Sequence, residues 1–324
     1  MLQLVRRLVA IPSYSGNSEA MVSCLDLCRR FLPKNLGIYG KEFVNSGHRS
    51  LVLSNVDGLK FDVISPGHID VVPSKTYEMK IDGGKIFGRG VFDMKSFVAS
   101  SLINLWHVAT QSGGNIRYAV VITSDEEIGG RDGMGHLVRD LGLETQLVLD
   151  SDSGKNIHNV VQENLGAITI KLHGEEDSIN RTVRNIKNKF ADNHCESYGS
   201  EVDVNFASDS IETDIGDCLE PAVTFDVLML NDYRKHNIFN RPHCLYREIS
   251  EKNGVVLEYV TSSGTNDSRY FFDCSETSII SHQASGGGNH QENEWLDVES
   301  LYRFNRIQRE FLMALGGSHS LALF

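Results

Sequence analysis

Four short stretches of this 324-residue chain carry the side chains best suited to chemistry. They are Gly67–Pro73 (GHIDVVP), Gly88–Ser96 (GRGVFDMKS), Ser124–Gly130 (SDEEIGG) and, near the C-terminus, Gly288–Glu294 (GNHQENE). The first three place a histidine or carboxylate just after an apolar run that is typical of a β-strand. Nitrogen and oxygen ligands gathered at strand ends are what a hydrolytic metal site requires. The pattern indicates an enzyme.

The first stretch contains His68, which follows the apolar segment 61–65, and Asp70 two residues later. A metal-bound imidazole usually donates its other N–H to a carboxylate, and Asp70 is placed to accept it. The alternative is a turn histidine with a capping aspartate.

Asp93 lies directly before a predicted helix and is open to two interpretations. A carboxylate in this place is commonly a helix cap. Its two oxygens are equally able to bridge two metal ions, and the glycines of its loop would let the backbone come close to such a site.

The third stretch has three adjacent acids, Asp125, Glu126 and Glu127, at the end of an apolar strand. Neighbouring carboxylates repel one another unless cations compensate. Successive residues of an extended chain point in opposite directions, so Glu127 can bind metal while Glu126 faces the water to be activated. The alternative is a solvated acidic turn.

The next predicted strand, 147–149, ends at Asp150, with Asp152 two residues on. Either aspartate is a candidate terminal ligand, and the strand-end position favours Asp150, with Asp152 as the second choice. His290 is the late candidate, beyond a glycine turn. Glu294 nearby is expected either to orient His290 or to cap the final helix.

The elements that must position these side chains alternate along the chain between strands and helices. Strands are predicted at 50–55, 61–65, 117–123 and 146–149, with helices at 97–110 and 135–141 between them. Apolar strands separated by helices predict an α/β fold with a mixed, mostly parallel sheet flanked by helices. Ligands gather at the carboxyl ends of the strands in such sheets, where these acids and His68 fall.

The composition and the pattern of predicted elements change between about residues 165 and 263. Strands are predicted at 167–172, 222–230 and 255–260 and a polar helix at 178–190, while 192–220 is acidic. We therefore predict a catalytic metal-binding domain from 1–164 and 264–324, with a small α+β domain, 165–263, inserted into it. A closing helix is predicted at 298–315.

Composition limits the classes of function. The formal charge of −12 argues against a nucleic-acid partner, which would require a basic face. No apolar run of membrane-spanning length exists, and the N-terminus begins as an amphipathic helix rather than a signal peptide. The six cysteines form no CxxC pair, and Cys24 and Cys28 are expected to pack as small apolar groups. A reducing, cytoplasmic setting is the default expectation.

Taken together, the stretches resemble the co-catalytic zinc metallopeptidase family of aminoacylase, carboxypeptidase G, succinyl-diaminopimelate desuccinylase, acetylornithine deacetylase and peptidase T. That family's pattern runs GHxDVVP, GRGxxDMKG, a Ser/Thr-Asp-Glu-Glu-x-Gly-Gly run, a strand-end carboxylate, and a late His before an Asn-Glu. All five occur here in order, and the similarity covers about residues 1–165 and 264–315.

The resemblance implies a role for each matching residue. His68 and Asp150 would hold one metal ion, Glu127 and His290 the other, and Asp93 would bridge the two. Asp70 would orient His68, and Glu126 would be the general base. A non-proline cis peptide after Asp93 is also implied. The segment 262–269 resembles the family's Gly-Thr-Asp-x-Arg run near the substrate, which makes Arg269 a candidate substrate contact.

The inserted region departs from the family. Where the family usually places an Ala-His-Ser histidine that stabilises the transition state, often across a dimer, the chain has Gly174-Glu-Glu, with His173 one residue before the glycine. Ser96 replaces the last glycine of the second motif. The resemblance nevertheless allows a homodimer through the inserted domain.

The expected reaction is hydrolysis of an amide bond in a small peptide or an N-acyl amino acid. Two divalent ions would take part, with zinc first and cobalt or manganese as alternatives. The first alternative is a biosynthetic N-acyl amino acid deacylase rather than a peptidase. A remote alternative is a non-catalytic metal-binding protein whose insert binds a partner, although such a protein has no need of Glu126.

Overall fold

The computed structural model describes residues 1–111, 115–154, 156–191, 195–208, 210–272, 274 and 276–317. Within these residues the α-helices are α1 (Leu2–Val9), α2 (Ser18–Phe31), α3 (Lys95–Gln111), α4 (His136–Arg139), α5 (Glu176–Lys189), α6 (Ile211–Gly216), α7 (Arg241–Lys252) and α8 (Val298–Gly317).

The strands in the same part of the chain are β1 (Tyr39–Asn45), β2 (His48–Ser54), β3 (Lys60–His68), β4 (Lys80–Asp82), β5 (Lys85–Phe87), β6 (Tyr118–Thr123), β7 (Glu144–Asp150), β8 (Asn159–Asn164), β9 (Gly166–His173), β10 (Cys195–Tyr198), β11 (Glu201–Phe206), β12 (Thr224–Asn231), β13 (Arg234–Lys235), β14 (Glu258–Ser262), β15 (Ser278–His282), β16 (Gly286–Gly287) and β17 (Trp295–Asp297). Short single turns of helix lie at Lys34–Leu36, Glu126–Ile128, Arg131–Gly135 and Asp267–Phe271.

The chain folds as two compact units. The first consists of residues 1–161, 237–259 and 266–324, and the second of 162–236 and 260–265. This division differs from the predicted boundaries of 165–263, because residues 237–259 belong to the first unit. The reason is helix α7, whose Tyr246 and Ile249 are buried in the same hydrophobic cluster as residues of α3 and α8.

Helix α7 was missed by the sequence analysis although its start carries a clear signal. The side chain of Asn240 accepts a hydrogen bond from the backbone N–H of His243 (3.0 Å), and Pro242 occupies the first turn. An Asn cap followed by proline is typical of a helix N-terminus.

The first unit is built on a mixed sheet, which confirms the predicted α/β class. Its strand order is β1-β2-β6-β3-β7-β15-β8. The central strands β6, β3, β7 and β15 are parallel, whereas the β1–β2, β2–β6 and β15–β8 pairs are antiparallel. The carboxyl ends of the central strands therefore meet at one edge of the sheet.

Both faces of this sheet are buried. All six residues of β6 are buried, and the first five alternate between two hydrophobic clusters. Val120 and Ile122 pack with the cluster that includes Phe97 of α3 and Phe304 of α8. Ala119 and Val121 face the other cluster. Because successive side chains point to opposite faces and both faces are buried, the strand is apolar at every position before Thr123. Cys24 and Cys28 are buried in the first cluster, as expected of small apolar groups.

The second unit is an antiparallel sheet of order β10-β11-β9-β12. Its core includes Val183 and Ile186 of α5 together with Ile211 and Ile215 of α6. The predicted strands near 167–172 and 222–230 are present, whereas β10 and β11 were missed because their segment lacks a long apolar run.

A third, small sheet of order β16-β17-β5-β4 lies within the first unit. It pairs Trp295 with Phe87, and so brings the C-terminal motif beside the start of the second motif. No helix in the described residues is both long enough and apolar enough to cross a membrane.

Candidate active site

The candidate residues meet at the edge formed by the carboxyl ends of β3, β6 and β7. His68 is the last residue of β3, Glu126 and Glu127 form a helical turn shortly after β6, and Asp152 lies two residues beyond β7. Adjacent parallel strands end side by side, so loops distant in sequence share this edge.

His68 is 1% exposed and held through both ring nitrogens. Nδ1 lies 2.8 Å from the backbone carbonyl oxygen of Asp70 and 3.5 Å from its Oδ1, while Nε2 lies 3.1 Å from Oδ1 of Asp93. A carbonyl oxygen only accepts, so Nδ1 carries a proton, and Nε2 is the ring nitrogen that would bind a metal ion. Burial opposes charge on His68, yet hydrogen bonds to Asp70 and Asp93 leave its pKa well above the usual range.

The carboxylate of Asp93 lies between two histidines. Its Oδ1 is 3.1 Å from Nε2 of His68, and its Oδ2 is 3.0 Å from Nε2 of His290. The peptide bond between Asp93 and Met94 is cis, which confirms the expectation drawn from the resemblance. A carboxylate with one oxygen for each imidazole has the geometry of a bridging ligand.

Glu127 completes the group around His290. Its Oε2 is 3.0 Å from Nε2 of His290, and its backbone N–H donates to Oδ2 of Asp70 (3.0 Å). The His290 side chain is 54% exposed, whereas that of Glu127 is 5% exposed, so this group opens to solvent on the histidine side.

Glu126 and Asp152 lie on the His68 side. Oε2 of Glu126 is 3.9 Å and Oδ2 of Asp152 is 3.7 Å from Nε2 of His68. Burial raises the pKa of Glu126 to about 8, an effect that His68 partly offsets and the nearby acids Asp267, Asp70 and Asp93 reinforce. Burial and the charge of Asp93 likewise raise the pKa of Asp152.

Asp150, the first choice for a terminal ligand, is not brought into this group. Its Oδ1 accepts the N–H of Asp152 (3.0 Å), and its Oδ2 accepts the hydroxyl of Ser153 (2.9 Å) and the amide of Asn266 (2.9 Å). The hydrogen bonds fix the turn that directs Asp152 toward His68. Asp150 was preferred from the sequence because it is the last residue of the strand. The turn that follows the strand instead places the second choice, Asp152, at the site.

Arg269, the candidate substrate contact, is bound to the loop behind the glutamates. Its guanidinium donates to the carbonyl oxygen of Gly129, and it lies over the ring of Tyr270, with its carbon 5.1 Å from the ring centroid. The Tyr270 hydroxyl donates to the same carbonyl oxygen (2.5 Å). In the structure, Arg269 therefore supports the loop that contains Gly129.

Three buried polar residues near the site were missed or misassigned from the sequence. Asn266 donates to the carbonyl oxygen of Asp152 (3.0 Å) as well as to Asp150, and Asp267 accepts from the hydroxyl of Thr123 (2.7 Å). Burial raises the pKa of Asp267 to about 7. Glu294 neither orients His290 nor caps α8; it binds the loop that carries Asp93. In the sequence, these three residues were distinguished only by being polar and close to a recognised motif.

The donor set forms a candidate metal-binding site. Two groups of three ligand atoms, which share His68, lie close enough to hold an ion: His68, Asp93 and Glu127, and His68, Glu126 and Asp152. Burial first, and repulsion from neighbouring acids second, raise the pKa values of Glu126 and Asp152, and bound positive charge would offset both effects. Mixed imidazole and carboxylate ligands suit zinc.

Comparison with known proteins identifies the family of the chain. The family model "Peptidase family M20/M25/M40" matches residues 65–314, which is most of the chain. The chain belongs to this family, and the family suspected from the motifs is thereby confirmed.

Two relatives are succinyl-diaminopimelate desuccinylases. That of Variovorax paradoxus (strain S110) is 28% identical over 151 residues, which cover 41% of this chain and 37% of the relative. That of Buchnera aphidicola subsp. Baizongia pistaciae (strain Bp) is 30% identical over 189 residues, covering 53% and 48%. The chain thus matches less than half of the length of these curated relatives.

Solved structures share the fold over nearly the whole chain. A tripeptidase from Staphylococcus aureus subsp. aureus Mu50 has a TM-score of 0.75 at 18% identity, with 98% of each chain covered. An M20 family metallo-carboxypeptidase from Sulfolobus solfataricus has a TM-score of 0.74 at 13% identity, covering 97% and 99%. A Bacillus subtilis protein described as a dinuclear metal-binding peptidase of family M20 has a TM-score of 0.67 at 12% identity, covering 98% and 97%.

Proposed function

We propose that this chain is a metal-dependent hydrolase that cleaves an amide bond in a small peptide or an N-acyl amino acid. The observation that carries the proposal is the Asp93 carboxylate, which offers one oxygen toward His68 and the other toward His290. Glu126 lies beside this group without being needed to complete either side of the bridge.

In this proposal Asp93 would bridge two ions, His68 and Asp152 would hold the first, and Glu127 and His290 would hold the second. Zinc fits the donor set, and cobalt or manganese are the alternatives. When bound, two such ions polarise a scissile carbonyl and lower the pKa of water. Asp70 supports both sides, because it contacts His68 and accepts the N–H of Glu127.

Glu126 is the proposed general base. It takes a proton from the attacking water and delivers it to the leaving amine. A carboxylate suits both steps when its pKa is raised toward neutrality, which burial achieves for Glu126 in this site. The side chain is 11% exposed, so the proton passes within a largely enclosed space.

The second candidate is deacylation of an N-acyl amino acid rather than peptide cleavage. It is supported by the two curated relatives, both of which are desuccinylases. The structural neighbours, in contrast, include a tripeptidase and a carboxypeptidase. The substrates to compare are therefore dipeptides, tripeptides, and N-succinyl and N-acetyl amino acids.

We also propose that the second unit forms a homodimer interface through β12. This strand lies at one edge of its described sheet and exposes four consecutive apolar residues: Val227, Leu228, Met229 and Leu230. An exposed edge strand offers unpaired backbone groups to a second chain, and the apolar row would be covered by the contact.

The deciding experiment measures release of free amine from the substrate panel, with the protein freed of metal and then reloaded with zinc. We expect turnover of at least one substrate class only after reloading. Absence of turnover on every substrate, together with a Glu126→Gln variant that behaves like the wild type, would overturn the hydrolase proposal.

A further inference from the structure

The carboxylate of Glu294 is enclosed by donors from one loop, residues 88–93. Its Oε2 accepts hydrogen bonds from Nη1 of Arg89 (2.9 Å) and the N–H of Gly90 (3.0 Å). Its Oε1 accepts the N–H groups of Phe92 (2.8 Å) and Asp93 (3.0 Å). Glu294 is 1% exposed, so these donors replace water entirely. The guanidinium of Arg89 balances the buried charge.

The local backbone explains how the loop closes around one side chain. Because β17 pairs with β5, Glu294 arrives beside Gly88, whose N–H donates to the Glu294 carbonyl oxygen (3.2 Å). Gly88 and Gly90 have φ angles of +146° and +84°, and a Cβ on Gly88 would lie 2.9 Å from the carbonyl oxygen of Glu78. Only glycine accommodates this bend, so the second motif requires its glycines to surround the carboxylate.

Glu294 also belongs to the segment that carries His290. The turn is closed by hydrogen bonds from the N–H of Gln291 to the carbonyl oxygen of Gly288 (2.9 Å) and from the N–H of Glu294 to that of Gln291 (3.4 Å). One buried carboxylate therefore joins the backbone that presents Asp93 to the backbone that presents His290.

We infer that Glu294 is a positioning residue that fixes the Asp93 carboxylate between His68 and His290 and thereby sets the affinity for the bridged ions. The inference rests on the proposed function. It assigns Glu294 no contact with the substrate. Groups that orient metal ligands in this indirect way typically contribute about 10- to 100-fold to metal affinity.

The test is zinc affinity of the Glu294→Gln variant, measured by competition with a chelator well below the melting temperature. The glutamine amide cannot accept from all four donors, so we expect about 10- to 100-fold weaker binding of at least one ion. The kcat is expected to recover as zinc is raised, because the catalytic groups themselves are intact. Should this variant not fold, Arg89→Gln removes one donor and is expected to weaken zinc binding in the same direction to a smaller extent.

Asp297→Ala is the matched control for loss of stability. Asp297 lies three residues further along and accepts the N–H of Ser300 at the start of α8 (2.7 Å), without touching the Asp93 loop. We expect this variant to melt at a lower temperature but to bind zinc as the wild type does. If Glu294→Gln also only melts earlier and retains wild-type zinc affinity, the inference is overturned while the proposed function stands. If the wild type binds neither zinc nor cobalt nor manganese, both are overturned.

Discussion

Asp70 and Glu127 are joined by a hydrogen bond from the backbone N–H of Glu127 to Oδ2 of Asp70, at 3.0 Å. The same aspartate holds His68 chiefly through its backbone carbonyl oxygen, at 2.8 Å, with Oδ1 further away at 3.5 Å. Asp70 therefore connects a proposed ligand at the end of β3 with a proposed ligand after β6. Moving either loop would disturb both sides of the proposed metal centre.

Replacing the proposed base should separate catalysis from metal binding. We expect Glu126→Gln to lower kcat by about 10²- to 10⁴-fold, because proton transfer to and from the water and the amine is lost. Zinc content should remain that of the wild type, as measured by elemental analysis alongside amine release. Glu144→Gln is the control, because Glu144 lies on the surface in an ion pair with Lys60. Full activity of Glu126→Gln would assign the base role to another group.

The two aspartates after β7 should behave differently. We expect Asp152→Asn to weaken zinc binding more than about tenfold, since a proposed ligand loses its charge. Asp150→Asn should retain both ions but lower the free energy of unfolding by about 1–3 kcal/mol, because an amide group then faces buried donors. Zinc titration and urea unfolding of both variants test this assignment, and the reverse pattern would restore Asp150 as the ligand.

The state of association should depend on β12. We expect Leu228→Lys to convert a dimer to a monomer in light scattering, because a buried lysine opposes pairing of apolar edge strands. Tyr198→Lys is the matched control, since Tyr198 is 65% exposed on β10 at the opposite edge of the same sheet. A monomeric wild type, or equal effects of both changes, would contradict the proposed interface.

Stability should fall as the pH decreases below about 6.5 because of His282. This buried histidine accepts a hydrogen bond from the Tyr246 hydroxyl at Nδ1 (2.7 Å) and donates from Nε2 to the carbonyl oxygen of Ile157 (2.6 Å). Burial lowers the pKa of His282 from 6.5 to about 4. Between these values the unfolded chain binds more protons than the folded chain, so the stabilisation present above pH 6.5 is lost progressively toward pH 4.

The loss expected from His282 alone is up to about 3 kcal/mol over that interval. It can be measured by urea unfolding at a series of pH values. A His282→Gln variant should start less stable at neutral pH and change less on acidification, whereas His136→Gln on the surface should follow the wild type. If the free energy of unfolding of His282→Gln changes with pH as steeply as that of the wild type, His282 is not the cause. His243, whose pKa burial also lowers to about 4, is expected to add a similar contribution.

Site residues could be predicted from the sequence where a polar side chain directly follows an apolar strand. His68, Glu126 and Glu127 lie at or just beyond β3 and β6, so apolar runs and polar residues together located them. The fold class followed from the same alternation of strands and helices. Asp93 and His290 were recognised through an ordered set of motifs, since neither has a local signal that separates a ligand from a helix cap or an exposed side chain.

What could not be predicted depends on contacts between distant parts of the chain. Asp152 rather than Asp150 faces His68 because Asn266, more than a hundred residues away, fixes the intervening turn. The support given by Arg269 to Gly129 and by Glu294 to the Asp93 loop is equally remote in sequence. The boundary of the second unit was misplaced because α7 has a polar sequence, although it packs on α8.

The position of β15 affects the order in which parts of the protein can fold during synthesis. This strand lies between β7 and β8 in the sheet, yet its residues, 278–282, follow the entire second unit along the chain. A growing polypeptide can therefore complete the second unit while the first sheet still lacks the strand that joins β7 to β8. Domains that emerge whole fold first during synthesis. The loops near this edge of the sheet are then stabilised only after β15 and the segment that follows it have been synthesised. These loops carry His68, Asp93, Glu127 and Asp152.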